Sequence, residues 1–167
     1  MTEIKLARID FRLMHGQVVT NWIKQVSADS ILIVDDELAA DKFLAQVFLM
    51  AAPPGIKVAI RSIEKAAFAF QNDVFKNKKL LILFKSVDTA HKAVMLGFPI
   101  QELQVGGLGS GTNKTMISNE LSLDQTEVAK LTEVSAKGIS ISLQVTPKDP
   151  LIPFADAVSI FTKSNTK

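Results

Sequence analysis

Cysteine is missing from this sequence, and with it disulfides, thiolate catalysis and cysteine-based metal sites. A reducing compartment fits that lack, so the cytoplasm is the expected location. Long apolar runs are missing as well. Ile31 to Val34 and Leu80 to Phe84 fall far short of the ~20 residues a membrane-spanning helix needs. The opening "MTEIKLARID" is charged every two or three positions, so it has no apolar core of the signal-peptide kind. Any membrane role is expected to run through a partner. Nor is charge of one sign concentrated: 19 basic and 17 acidic residues interleave to a net +2, without the dense basic tract that tracks a phosphate backbone. Nucleic acid is therefore not an expected partner.

What is present is apolar material for one core, 47% of 167 residues, and a single domain over 1–167 is expected. Ile4 to Ile9 alternates like a short strand and runs into Asp10 to His15, too charged to be buried without partners. From Gly16, "GQVVTNWIKQV" spaces Val18, Val19, Trp22, Ile23 and Val26 as one helical stripe. The alternation repeats: strand "SILIV", helix "DKFLAQVFLMAA", a break at Pro53, Pro54 and Gly55, strand "IKVAIR", then a helix capped by Ser62. Next come strand "LLILF", a helix capped by Ser86 or Asp88, strand "ELQVGGL", loop "GGLGSGTNKT", helix "SLDQTEVAKLTEVSAKG" and strand "ISISLQV". Around and beyond Lys148, Pro147, Pro150 and Pro153 predict an irregular tail before a short final element. The expected fold class is α/β, an open, twisted, mainly parallel sheet with helices on both faces.

Such sheets bind ligands in the crevice at the carboxyl ends of their strands. Asp10 to His15, Asp35 and Asp36, Lys85 and Ser86, and Gly106 and Gly107 all follow strands and are candidates to share that edge. His15 stands where a loop enters a helix, beside free backbone N–H groups and the positive end of the helix dipole. Arg8 and Arg12 lie nearby, and guanidinium forks match phosphate oxygens. A neutral imidazole nitrogen is also a nucleophile, so phosphoryl attack and anion stabilisation combine in one place. Asp10 has two open roles: accepting from the other ring nitrogen of His15, or pairing with an arginine.

Other candidates carry less. His91 lies among helical neighbours without clustered charge and reads as a surface or partly packed histidine. Asp35, Asp36 and Glu37 read as a strand stop and helix-start acids, so no metal is expected. Gly106, Gly107, Gly109 and Gly111 form neither a Walker nor a Rossmann fingerprint, so no nucleotide and no other cofactor is expected. Trp22, Phe43, Phe48, Phe68 and Phe70 sit at helical spacing and read as core, with a few of them, together with Phe11, facing partners.

"RIDFRLMHGQV" resembles the first active-site segment of the enzyme IIB components of the mannose, fructose and sorbose family of the bacterial phosphoenolpyruvate-dependent sugar phosphotransferase system. "VDDELAADKFLAQVFLMAAPPGIKV", "LLILFKSVDTAHKAVMLGFPIQELQVGG" and "SLDQTEVAKLTEVSAKGISISLQVTPKD" resemble its successive blocks, in order, over nearly the whole chain. The resemblance implies that His15 takes a phosphoryl group, through Nδ1, from the phosphohistidine of a IIA partner. It then passes the group to a sugar held by membrane IIC and IID subunits, with this chain peripheral to the transporter. It implies a transfer-assisting role for Arg12, and phosphate binding by Arg8, Asp10, Gly16 and Gln17 with the amides after His15, and by Ser86 after the fourth strand. Self-association is common in that family. Phe11 stands where a polar or acidic residue is usual, and Leu108 to Thr115 departs from the commoner segment. The competing expectation is a noncatalytic module that merely holds a phosphorylated ligand.

Overall fold

Runs of leucine, isoleucine and valine without charge build the centre of a sheet that is covered on both faces. A computed structural model describes residues 1–166, apart from the side chain of Gln17, so the expected phosphate contact of that side chain lies outside the described residues. Ser30–Val34 (β2) and Lys79–Phe84 (β4) are buried on both sides, which is why they read as unbroken apolar runs. Glu3–Asp10 (β1) lies between β4 and Glu102–Gly107 (β5), with Lys57–Arg61 (β3) at one edge. Ser140–Leu143 (β8) and Ile152–Pro153 (β9) complete the order β3-β2-β4-β1-β5-β8-β9. All pairings are parallel except β8 with β9.

Alternation along each strand divides the apolar side chains between two cores. Leu32, Val34, Ile82 and Phe84 face helices Ile63–Gln71 (α4), Val87–Met95 (α5), Gln125–Ala136 (α6) and Phe154–Asn165 (α7). Ile31, Ile33, Leu81 and Leu83 face Gly16–Val26 (α1), Asp36–Ala40 (α2) and the inner side of Lys42–Met50 (α3). The expected open, mainly parallel α/β sheet with helices on both faces is what forms. Among the described residues no helix is long and apolar enough to cross a membrane.

Four local features differ from the sequence reading. The helix expected over "DKFLAQVFLMAA" starts where it was read, the Asp41 carboxylate accepting from Leu44 N–H at 3.0 Å, but a separate short helix, α2, precedes it. Thr115–Ser118 (β6) and Leu121–Leu123 (β7) form an antiparallel hairpin where a loop and a helix start were expected. The helix after it begins at Gln125, fixed by a capping box between Asp124 and Glu127. The tail ends in a helix of 12 residues rather than a short element, with Pro153 at its N-cap, a place where proline loses nothing. Trp22 is core, and Phe48 and Phe70 are partly buried against the two cores. Phe43 and Phe68 are not core: they are 81% and 64% exposed. Helical spacing aligned them on a face, but no other element covers that face.

Candidate functional site

Strand β1 is central, and its last residues carry the site. Arg8 and Asp10 point to the α1 side of the sheet, and both are almost wholly buried, at 2% and 1% exposure. A buried guanidinium requires partners for its donors. Arg8 Nη1 donates to Gln104 Oε1 at 2.5 Å and to the Gln144 carbonyl at 2.9 Å. Nη2 donates to the carbonyls of Val145 and Gly106 at 2.7 and 3.2 Å and to Asp10 Oδ2 at 3.3 Å. The ring of Trp22 lies 5.2 Å from the guanidinium carbon, and its indole N–H donates to the same Val145 carbonyl at 3.0 Å. Burial pushes the Arg8 pKa down to about 10 against the upward pull of Asp10, and the side chain stays charged at neutral pH. The expected phosphate contact of Arg8 is therefore corrected: its terminal nitrogens are engaged inside the protein, where they tie β1 to β5 and to the loop after β8.

The glycine pair makes this packing possible. A Cβ on Gly106 would lie 1.9 Å from Arg8 Cζ, and one on Gly107 would lie 2.7 Å from Asp10 Oδ1. These glycines make room for the buried ion pair, as the strand end requires for so close an approach.

Above this floor the chain turns sharply. Phe11 N–H donates to the Gly107 carbonyl at 3.1 Å, Leu13 N–H donates to the Asp10 carbonyl at 2.9 Å, and Leu13 has φ +56°. Arg12 N–H and Nε both donate to Asp10 Oδ1, at 3.1 and 3.4 Å. Arg12 Nη2 reaches Glu120 Oε2 at 3.2 Å on the β6–β7 turn, and the guanidinium lies over the Phe11 ring at 5.1 Å. The open choice for Asp10 is thus resolved in favour of the arginines. Phe11 supplies a ring face for Arg12.

His15 is the N-cap of α1, with extended φ −141° and ψ 133°, and its side chain makes no cap bond. Both ring nitrogens are shielded from solvent, and among the described residues neither has a hydrogen-bond partner. Orphaned buried nitrogens are rare and call for a functional reason. Gly16 follows with φ +48°, a left-handed conformation that favours glycine, and the first amides of α1 open beside the imidazole.

The remaining candidates are placed elsewhere. Ser86 caps α5: its hydroxyl accepts from Thr89 N–H at 3.1 Å and shares a bond with Thr89 Oγ1 at 3.0 Å in which either oxygen can donate. Lys85 lines a separate cleft with Phe11 and Arg12. His91 lies on the opposite face of the sheet, 2.5 Å from Glu133 Oε2 of α6. Asp35 caps α2 through Leu38 N–H, and Asp36 Oδ1 accepts from Ile63 N–H at 2.8 Å, so both do structural work. Among the described residues no group of three His, Asp or Glu side chains is arranged to hold a metal ion. Sequence reasoning missed Gln104 and Glu120. Gln104 alternates onto the face of Arg8 and had a signal as a polar residue inside a buried strand. Glu120 had none, because the hairpin brings it across 108 positions.

Comparison with known proteins agrees with this geometry. A family model described as PTS system sorbose subfamily IIB component matches residues 4–167. The sorbose-specific EIIB component of Lacticaseibacillus casei is 39% identical over 147 residues, covering 88% of this chain and 90% of that protein. The mannose-specific EIIAB component of Escherichia coli K12 is 31% identical over 160 residues, covering 96% of this chain and 50% of that longer protein. Among solved structures, manxB from Thermoanaerobacter tengcongensis superposes with a TM-score of 0.89 at 38% identity, covering 95% of this chain and 96% of that one. The chain belongs to the mannose, fructose and sorbose family of phosphotransferase-system IIB components, in its sorbose subfamily.

Proposed function

We propose that residues 1–167 act as one phosphoryl-carrier domain in which His15 takes a phosphoryl group from a IIA phosphohistidine and passes it to a sugar held by membrane IIC and IID subunits. The domain works at the cytoplasmic side of that transporter and is a phosphotransferase. The observation that carries this reading is the His15 imidazole, whose two nitrogens have no hydrogen-bond partner among the described residues, at the N-cap of α1.

The chemistry balances with these parts. A lone pair on His15, through Nδ1, attacks phosphorus; the new N–P bond forms as the donor's N–P bond breaks, and the donor imidazole leaves with its electron pair. In the second step a sugar hydroxyl oxygen attacks, the His15 N–P bond breaks, and the hydroxyl proton is taken up by the freed ring or by water. Such transition states are loose and spread charge over three oxygens, so positioning and positive charge do most of the catalysis. Arg12 suits that task. Its ion pair with half-exposed Glu120 is of the kind worth ~0–1 kcal/mol, and so is readily exchanged for a dianionic phosphoryl group. Gly16 lets the following amides approach the phosphate, and Asp10 orients Arg12 rather than touching the phosphate. Arg8 and Ser86 support the frame.

A noncatalytic phosphate-binding module fits less well, because holding an anion does not require a nucleophile with both nitrogens left free. Incubation with phosphoenolpyruvate, enzyme I, the histidine phosphocarrier and a IIA subunit tests the point. One acid-labile phosphoryl group per chain is expected, with none on His15→Ala and normal labelling of His91→Ala. Label surviving the loss of His15 would refute the assignment.

A further inference from the structure

The sheet is not paired along its whole length. Strand β1 pairs with β4 from Glu3↔Lys79 onward, and β5 with β8 from Glu102↔Ser140, yet β1 and β5 come into register only at Arg8↔Gln104. Before that rung the two halves of the sheet part, and a cleft of about 410 Å³ opens between them along the first half of β1, away from the strand end that leads to His15. A strand side without a partner presents backbone N–H and C=O groups there. Gln104 forms part of the cleft wall and is only 6% exposed. A guanidinium only donates, so the amide is oriented: Oε1 accepts from Arg8 Nη1, and Nε2 is the end left free, with no hydrogen-bond partner among the described residues. A donor on so deeply buried a side chain calls for an acceptor.

The surroundings define that acceptor. The charged residues on the lining are Lys5 and Glu102, one of each sign, and Lys5 is already paired with Glu3 at 2.9 Å, so the lining offers no unpaired cation to an anion. Among the described residues it also has no aromatic ring on which a base could stack. The Ser142 hydroxyl both donates and accepts, the Glu102 carboxylate accepts only, and Leu6 and Leu151 add apolar surface. A matching ligand is uncharged, carries oxygen acceptors for Gln104 and hydroxyl donors for Glu102, and has C–H surface between them. The cleft volume falls in the range of roughly 300–1,000 Å³ of small-molecule sites. We propose that the cleft between β1 and β5 is a binding site for a neutral polyhydroxylated molecule, a monosaccharide or an open-chain polyol, with Gln104 Nε2 donating to one of its oxygens. Because the same amide holds Arg8, the ligand shares a partner with the floor of the His15 site. The proposal does not depend on the phosphoryl-carrier reading.

The test is ¹H–¹⁵N NMR of the full chain, titrated separately with D-mannose, D-fructose and sorbitol through the millimolar range. The Gln104 side-chain amide should shift and saturate with at least one of them, while the backbone amide of His91 stays in place; the three arms separate ring sugars from an open chain. Saturation is the readout because concentrated polyols also act on proteins by exclusion from the surface, without occupying a site. Ser142→Leu, which fills the cleft and removes its hydroxyl, should weaken binding at least tenfold, and Gln101→Ala, an exposed change on the lining, a few-fold. An unchanged indole N–H resonance of Trp22, bonded to the Val145 carbonyl that Arg8 also holds, shows that the fold is kept; where Ser142→Leu disturbs it, Gln101→Ala decides alone. The proposal is overturned if none of the three compounds gives a saturating shift, if both variants bind as the unaltered chain does, or if inorganic phosphate shifts Gln104 at lower concentration than any of them. A Gln104 shift that follows protein concentration alone assigns the cleft to a second copy and overturns it as well.

Discussion

Arg8 and Arg12 both donate to Asp10, one to each carboxylate oxygen, yet the regions they belong to differ in kind. The floor consists of Arg8, Asp10, Gln104 and the two glycines; it is buried, and Arg8 is held there by Gln104, Asp10 and carbonyls of β5 and of the loop after β8. The rim consists of Phe11, Arg12 and Glu120; it is partly wet, and its ion pair has a half-exposed carboxylate at one end. A buried ion pair broken on one side leaves a charge stranded, at a cost of about 3–5 kcal/mol, whereas an exposed pair is worth under about 1 kcal/mol. The same residue type therefore gives a rigid base in one place and an exchangeable ligand in the other. A phosphoryl carrier needs both: a fixed nucleophile, and a cation that can exchange partners.

Substitutions should separate the two regions. The largest effect is expected from Gly106→Ala, because its Cβ would overlap Arg8 Cζ at 1.9 Å and either strand or guanidinium must shift. A loss of about 3 kcal/mol or more, read as a fall in Tm of roughly 6 °C or more, follows from overpacking beside a displaced buried charge. A loss below about 1 kcal/mol would show the floor to be as pliant as the rim. Next comes Arg12→Lys, which keeps the charge and removes the fork. Transfer from IIA should slow by about tenfold or more while stability changes by under about 1 kcal/mol, and equal rates would deny Arg12 its role. Glu120→Gln should do less, leaving Tm nearly unchanged and phosphoryl acceptance unchanged or a few-fold faster, since Arg12 loses a competitor for the phosphate.

The smallest effect is expected far from both regions, between α5 and α6. There Lys130 and Lys92 hold the Asp88 carboxyl below its ordinary value of 3.8. A carboxyl lowered in the folded state releases its proton more readily there than in the unfolded chain. Its stabilising contribution is therefore full above that ordinary value and is lost as acid protonates the folded form. Asp88→Asn should lower Tm slightly at neutral pH, lose that difference near pH 2, and leave transfer untouched; a change in transfer would tie this face to the site.

Strands and caps were legible because their causes are local. The apolar run of β4, the stripe of α1 and the Ser62 and Ser86 caps each reflect residues within one or two turns of one another. Depth was not legible. Alternation puts Arg8 and Asp10 on the same face of β1, but only the arrival of β5, Trp22 and the loop after β8 makes Arg8 a sealed strut rather than a phosphate ligand. The pair Gly106 and Gly107 was visible as a sequence feature, while its reason, room for a guanidinium and a carboxylate, lies on the neighbouring strand. Glu120 illustrates the limit most clearly, since a hairpin absent from the sequence reading delivers it to Arg12. Phe43 and Phe68 show the converse: helical spacing identifies an apolar face without telling whether this chain or another molecule covers it.

The central claim is that the free imidazole at the start of α1 is the phosphoryl acceptor, and with two histidines in the chain it has a direct test. ¹⁵N-histidine NMR during phosphoenolpyruvate-driven phosphorylation through IIA should show the His15 ring resonances shifting, with phosphorus coupling to Nδ1, while those of His91 stay in place. Coupling on His91, or a phosphorylated chain in which His15 is unchanged, would contradict the account.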